Sequence, residues 1–347
     1  MEKQSLIENW QRLKAQGLKQ KEIADQLDIT EAELIASMCD GEMVVRIKPD
    51  WLQLFSVFKQ LGEVKTVTRN DSAVIEKNGE FEELDWNPHA STVVGTDIDL
   101  RIFHRIWRTA FLVHDETSRY PYSIQFFDRF GTAVHKLFLN DKSKMDVLFN
   151  WLPSLRSDDQ SEYEMIDPIE EKQGTELKQK PFDKEKFVQD WRNLKDTHDF
   201  YPLLMKHGID RMTALRETDS DLAWQLTIDT IDNLLKTMSE QQIPIMIFVG
   251  NKGMIQIHSG PVKNIIERNQ WINIMDSNLH FHLNRSKLAE CWAVRKPTVD
   301  GDVHSIEVFD DQNELVVTFF GLRKPGKAET AEWRNYVQST QTAEFCL

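Results

Sequence analysis

The chain has 347 residues, of which 40% are hydrophobic and 28% are charged, and its 56 acidic and 42 basic residues give a formal net charge of −14. This length favours two domains over one small module. The acidic balance excludes general attraction to nucleic-acid backbones and anionic membranes, so any anion has to bind at a local basic patch.

The cysteines and the N-terminal segment indicate the compartment. Cys39, Cys291 and Cys346 are scattered without a C-x-x-C pair, which argues against a disulfide framework or a thiolate zinc site. The first residues contain no apolar signal-peptide core, and the sequence has no run of 18 apolar residues. We therefore expect a cytoplasmic protein that does not span a membrane.

The first half begins with predicted helices. Residues 9–14 have a helical pattern, and residues 21–34 have the sequence pattern of a helix-turn-helix. Thr30 would cap the second of these helices, with Glu33 completing a capping box. Because Glu31 and Glu33 would face phosphates in a DNA complex, we expect a structural helical hairpin and no nucleic-acid binding.

Predicted strands follow, and a helix closes the half. Residues 70–79 have a hairpin pattern, and residues 97–103 alternate around Arg101, which on this pattern alone is a solvent-facing strand residue. A strand, a turn and a second strand are predicted over residues 123–138, before a helix that contains Trp151. Residues 156–181 are charged, poor in aromatic residues and typical of a linker.

The second half repeats the first at an offset of 181 or 182 residues. Four segments recur: residues 9–14 as 190–195, 70–79 as 251–260, 123–128 as 305–310, and Trp151 as Trp333. The repeat predicts an α+β fold made by tandem duplication, each half a large antiparallel β-sheet with flanking helices. The expected domains are residues 1–155 and 182–347, and a ligand-binding cleft is expected between the halves.

The histidines of the second half are candidate ligands. His198 lies in the helical head of this half, where the repeat places Gly17 opposite it. Taken alone, such a histidine is more often a surface or core residue than a ligand. His207 competes for the same role, although its neighbour Gly208 indicates a helix end. His258 and His304, in strand patterns, are expected to be packing residues.

Common catalytic motifs are absent, and two basic pairs remain. The sequence has no G-x-G-x-x-G motif opening a βαβ unit, P-loop, H-E-x-x-H, G-x-S-x-G or C-x-x-C-H motif. The pairs beginning at Arg295 and Arg323 each precede a proline in a predicted turn. Such a pair at a strand end can clamp a carboxylate.

As a whole, the sequence resembles the HemS/ChuS/HmuS family of haemin-degrading or haem-trafficking proteins of Gram-negative bacteria. The resemblance covers nearly the full chain and is carried by long motifs in the right order: residues 61–65 with 68–70, 99–103, 123–128, 133–136, 244–251, 255–262, 294–298 and 320–326. It implies two homologous halves with haem in the cleft between them.

The resemblance also implies roles for individual residues. His198 falls at the axial iron ligand, Arg101 at the arginine facing the other side of the iron, and Phe103 beside the macrocycle. The positions that match basic residues near the haem edge and propionates are Arg211, Lys296 and Arg323. Asp199 is a departure, since glutamine is expected there, and its carboxylate would either alter the imidazole or face solvent.

These residue types suit haem, which needs an imidazole for iron, apolar walls for the porphyrin and cations for two propionates. Arginine stays protonated, so Arg101 would donate to a species bound to iron and would not ligate it. The implied function is a cytoplasmic protein that accepts imported haem b and promotes its degradation and iron release. The alternative is a carrier that delivers haem to a separate oxygenase. A haem importer and an electron-donating reductase are the expected partners.

Overall fold

The fold is α+β in this computed structural model, which describes residues 3–168, 182–323 and 326–343. The residues 169–181 of the predicted linker and Cys346 lie outside the described residues. None of the helices in the described ranges is long and apolar enough to cross a membrane. The helices are α1 Lys3–Ala15, α2 Gln20–Gln26, α3 Glu31–Ala36, α4 Trp51–Phe58, α5 Met145–Leu155, α6 Lys184–Arg192, α7 Phe200–His207, α8 Arg211–Glu217, α9 Thr230–Glu240 and α10 Ala331–Ala343.

Within the described ranges, the strands form two antiparallel sheets of nine strands each. Their bounds are β1 Val44–Ile47, β2 Gly62–Arg69, β3 Ala73–Gly79, β4 Glu83–Asp85, β5 Ser91–Val94, β6 Asp99–Ile102, β7 Trp107–His114, β8 Tyr122–Asp128, β9 Ala133–Ser143, β10 Ala223–Leu226, β11 Ile245–Gly250, β12 Met254–Gly260, β13 Ile265–Arg268, β14 Trp271–Met275, β15 Leu279–Asn284, β16 Leu288–Lys296, β17 Val303–Asp310 and β18 Leu315–Gly321. The strand orders are β1-β7-β8-β9-β2-β3-β15-β14-β13 and β10-β16-β17-β18-β11-β12-β6-β5-β4.

The chain divides into two compact units. The first comprises Met1–Arg69, Ile75–Ile169 and Gly250–Gln256, and the second comprises Asn70–Val74, Glu170–Val249 and Ile257–Leu347. In the first unit, α4 begins where the Asp50 side chain accepts a hydrogen bond from the Gln53 backbone N–H. Its Phe55 packs against Trp107 and Phe126 of the sheet. In the second unit, α6 and α7 pack together through Trp191 and Phe200.

Two β-bulges of the first half recur at the corresponding positions of the second half, as expected for a duplication. The β7–β8 ladder shifts register between Trp107 and Thr109, and the β16–β17 ladder shifts between Leu288 and Glu290. The β8–β9 ladder shifts at Phe127, and the β17–β18 ladder shifts at Phe309. Since a bulge re-aims the strand that carries it, its recurrence shows that the two copies share local geometry as well as a sequence pattern. The predicted duplicated α+β fold is confirmed.

The capped helix of the predicted hairpin is also confirmed. The Thr30 hydroxyl accepts the Glu33 backbone N–H at 3.2 Å, and the Glu33 carboxylate accepts the Thr30 backbone N–H at 2.8 Å. Glu31, at the start of this helix, is buried and pairs with Arg69 and Lys136. Burial would raise the Glu31 pKa, but the two cations outweigh it and lower the pKa. The helix start therefore packs on the sheet through an ion-pair network.

The packing histidines lie as expected. His258 and His304 are buried in β12 and β17, and His304 Nδ1 donates to Glu329 Oε1 at 2.6 Å. His207 is the last residue of α7, and Gly208 follows it with a φ of 66°. A left-handed C-cap of this kind is most readily formed by glycine.

Candidate functional site

His198 lies in a short turn between α6 and α7 of the second unit. The Asp196 side chain caps this turn, accepting the His198 backbone N–H at 2.8 Å. The same carboxylate oxygen, Oδ1, lies 2.6 Å from Nδ1 of the His198 ring. The side chain of His198 is 89% exposed. Asp196 therefore holds one ring nitrogen, and the ring presents the other, Nε2, to solvent.

Two large exposed side chains lie on α7, the helix that follows the His198 turn. These are Tyr201 and Met205, and the neighbouring Phe200 is buried. Residues 201 and 205, four positions apart in α7, lie on one helix face. The sequence analysis did not identify Tyr201 or Met205, although the recurrence of large apolar residues three and seven positions after the histidine was a usable signal. The accessible imidazole of His198 is thus followed, three and seven residues later, by two exposed large side chains.

Two of the predicted basic residues meet at a buried carboxylate. Arg211 Nη1 donates to Glu307 Oε2 at 2.6 Å, and Lys296 Nζ donates to Glu307 Oε1 at 2.6 Å. Both cations also lie against the Phe200 ring, with the Lys296 Nζ 4.7 Å and the Arg211 Cζ 5.3 Å from its centroid. Ser305 donates a further hydrogen bond to Glu307. Two cations and one anion give this trio a formal charge of +1.

Burial and ion pairing have opposite effects on the pKa of Glu307 and on the pKa of Lys296. The Glu307 side chain is fully buried, which alone would raise its pKa, but Arg211 and Lys296 outweigh burial and lower the pKa to about 2. Burial lowers the pKa of Lys296, and attraction to Glu307 offsets this only in part. The result is an ion-pair network held inside the unit, with Arg211 partly open to solvent.

The surroundings of the basic pair Arg295 and Lys296 differ from the prediction. Lys296 is buried at the end of β16 and bound by Glu307, whereas a turn was expected to present it to a carboxylate. Arg295 pairs with Asp221 and Asp302. Sequence spacing could not show these partners, because the carboxylates come from other segments. Both cations of this pair are therefore already paired with carboxylates within the protein.

Arg323 lies close to the His198 turn. The Asp196 pKa is lowered chiefly by the hydrogen bond from the His198 backbone N–H, and the positive charge of Arg323 contributes to the shift. Nη1 of Arg323 is buried and has no hydrogen-bond partner in the part of the chain that the structure describes. Lys324, the next residue, is outside the described residues. Arg323 is therefore a cation with a buried spare donor, and its charge acts on the carboxylate of the His198 turn.

The Asp199 carboxylate is exposed, which corresponds to the second of the two roles expected for it. The carboxylate that contacts the imidazole belongs to Asp196, three residues earlier. The sequence alone gives Asp196 no role. The Asp-x-His spacing was the available signal, because an N-cap aspartate accepts a backbone N–H two or three residues on, which brings its carboxylate close to those residues.

The first unit carries the remaining two predicted residues. Arg101 lies in β6, is partly exposed and pairs with Asp99 of the same strand. Burial raises the Asp99 pKa, and Arg101 offsets this only in part. Phe103 directly follows β6, and its backbone N–H donates to Gly253 at 3.0 Å. Arg101 is thus a solvent-accessible strand residue, as its alternating sequence pattern predicts.

The fold defines the class of protein as a duplicated α+β protein. Its second unit carries the accessible His198 imidazole, exposed apolar side chains on the next helix, and several basic residues. A family model described as the haemin-degrading HemS.ChuX domain matches the chain twice, over residues 28–152 and 208–340. The chain belongs to the HemS family. His198 lies between the two matched stretches, so its assignment depends on the geometry of its own turn.

Known relatives are similar over almost the whole chain. The hemin transport protein HemS of Yersinia enterocolitica is 32% identical, and the alignment covers 96% of each chain. Among solved structures, holo-PhuS, a heme-binding protein from Pseudomonas aeruginosa, is 37% identical with a TM-score of 0.92, covering 98% of this chain and 99% of that one. ChuS, described as an E. coli heme oxygenase, is 30% identical with a TM-score of 0.87, covering 96% and 99%.

Proposed function

We propose that the protein binds haem through His198 and acts in haem-iron utilisation. The observation that carries the proposal is the exposed His198 ring, anchored to Asp196 through Nδ1 with Nε2 presented to solvent. Haem iron takes a histidine nitrogen as its proximal ligand in many proteins, and a carboxylate on the other ring nitrogen is the usual supporting contact.

The surroundings of His198 suit the rest of the ligand. Tyr201 and Met205 offer apolar surface for one porphyrin face. We assign the propionates to Arg323, whose charge acts on the His198 turn, and to the partly exposed Arg211. Lys296 supports this role indirectly, because it shares Glu307 with Arg211 and so contributes to the positive charge of the trio.

The relatives support the same reading. HemS is named for hemin transport, PhuS for heme binding and ChuS as a heme oxygenase. We propose haem b as the form, because the sequence has no C-x-x-C-H motif for covalent attachment. A cytoplasmic location, a haem importer as the donor and a reductase as the electron source complete the proposal.

The leading activity is degradation of haem with release of its iron. A carrier that delivers haem to a separate oxygenase is the second candidate, and the high exposure of His198 favours it, since an exposed ligand is easily reached by an acceptor. A turnover assay with an electron donor, with catalase present to remove peroxide, separates the two. Open-chain tetrapyrrole and released iron support the enzyme. Transfer of intact haem to an apo-myoglobin acceptor without product supports the carrier.

The binding proposal is tested by titrating the protein with ferric haem and following visible absorption. We expect saturation at one haem per chain and a Soret band distinct from that of free haem. The dimethyl ester of haem, which lacks free carboxylates, should bind more weakly if cations hold the propionates. Absorption that rises linearly with haem and never saturates would refute specific binding.

Arg101 and Phe103 remain predictions from the family resemblance. Replacing Arg101 with alanine should leave haem bound through His198, with less than about a tenfold change in affinity, roughly 1.4 kcal/mol. The ferric absorption and electron paramagnetic resonance spectra should nonetheless change, because the group that occupies the sixth iron position loses a hydrogen-bond donor. Spectra identical to those of the wild type would remove Arg101 from the haem site.

A further inference from the structure

We infer that Asp196 is a positioning residue that sets the tautomer and the electron donation of His198, an inference that rests on the proposed function. Two contacts carry it. Asp196 Oδ1 lies 2.6 Å from the His198 Nδ1 and accepts the His198 backbone N–H at 2.8 Å. One oxygen thus fixes both the turn and the ring.

The ring contact determines which nitrogen can bind iron. A carboxylate only accepts hydrogen bonds, so the contact requires a proton on Nδ1 of His198. In the neutral ring the lone pair is then on Nε2, the nitrogen that the exposed ring presents to solvent. Without Asp196, the ring would divide between two tautomers, and a ring protonated on Nε2 would have to lose that proton before binding iron.

The same contact also determines how strongly the ring donates electrons. A carboxylate hydrogen-bonded to a ligating imidazole increases the basicity of the ligand. Stronger donation favours ferric over ferrous iron, because the higher charge gains more from it. Asp196 is therefore assigned a second effect, which is to hold the bound iron at a lower reduction potential than an unassisted histidine would.

Two variants and a matched control separate these effects from general loss of charge. Asp196→Asn keeps an oxygen that can cap the turn but removes the charge, and Asp196→Ala removes both. Asp199→Asn is the control, since Asp199 is an exposed carboxylate next to His198 and is not the one that contacts the ring. Any effect of net charge alone should appear in the control as well.

The first measurement uses the protein without haem. Nitrogen-15 NMR of labelled histidine reports which His198 nitrogen carries the proton at a pH where the ring is neutral. We expect Nδ1–H in the wild type and in Asp199→Asn, and a shift towards Nε2–H in Asp196→Ala. A wild-type ring protonated mainly on Nε2 would overturn the inference, whether or not the protein binds haem.

The second measurement is a spectroelectrochemical titration of the haem complex. At a fixed potential we expect the ferrous-to-ferric ratio in Asp196→Asn to rise about tenfold over the wild type, or about 59 mV for one electron. Asp196→Ala should rise at least as far, and Asp199→Asn should stay near the wild type. Equal potentials in all four proteins would overturn the donor role of Asp196. If no protein binds haem, the proposed function fails, and the NMR result decides the tautomer separately.

Discussion

Replacing His198 with alanine is expected to weaken ferric haem binding by at least about 100-fold, which corresponds to about 2.8 kcal/mol. The variant loses the only iron ligand that we assign in the second unit, while the apolar and cationic contacts remain. Its side chain is 89% exposed, so the substitution should leave the free energy of unfolding almost unchanged. Titration followed at the Soret band measures the affinity, and thermal unfolding checks the fold.

His207 provides the matched control, because sequence analysis offered it as the competing ligand. Its Nε2 lies 2.9 Å from Asp190 Oδ2, and its side chain is nearly buried. His207→Ala should therefore bind haem as tightly as the wild type. Loss of binding in His207→Ala together with retention in His198→Ala would reverse the assignment of the iron ligand.

Replacing Glu307 with leucine is expected to lower the free energy of unfolding by about 3–5 kcal/mol, the cost of leaving a buried charge unpaired. Lys296 is buried, and Glu307 is the carboxylate that neutralises it. Arg211 is less affected, since its partly exposed guanidinium can turn towards solvent. Urea denaturation of the two proteins measures the difference.

The double variant Glu307→Leu/Lys296→Met is the control for this prediction. It removes both buried charges, so most of the lost stability should return. A double variant as unstable as the single one would show that packing around Glu307, and not the unpaired ammonium of Lys296, causes the loss. Retention of full stability in Glu307→Leu would contradict the ion-pair account itself.

Acid should act on the same carboxylate. The pKa of Glu307 is lowered in the fold from its usual 4.5 to about 2, so the unfolded chain takes up the proton first. The contribution of Glu307 to stability is therefore fully present above about pH 4.5 and is lost as the pH falls towards 2. Between these values, the free energy of unfolding should fall more steeply in the wild type than in Glu307→Leu.

Local patterns and the repeat were predictable from sequence, because each depends on residues close together in the chain or on a fixed offset. The Thr30 capping box depends on a spacing of three residues, and its geometry is as expected. The offset of 181 or 182 residues likewise predicted paired elements such as β8 and β17. The matching bulges at Phe127 and Phe309 could not be predicted, since a bulge depends on strand register.

The partners of the site residues were not predictable in the same way. Glu307 lies 96 residues from Arg211 and 11 from Lys296 along the chain, and no spacing rule links residues on a helix and two strands. From the sequence alone Lys296 is an available cation, whereas in the structure it is buried and paired with Glu307. The contact between Asp196 and His198 was easier to predict from sequence, because the two residues share one turn.

The central claim is that the His198 imidazole binds haem iron, and resonance Raman spectroscopy of the ferrous haem complex tests it most directly. Protein labelled with nitrogen-15 histidine should show an iron–histidine stretching band that shifts relative to unlabelled protein. The band should be absent from His198→Ala and present in His207→Ala. An isotope-sensitive band that persists in His198→Ala, or a wild-type complex without one, would contradict the account.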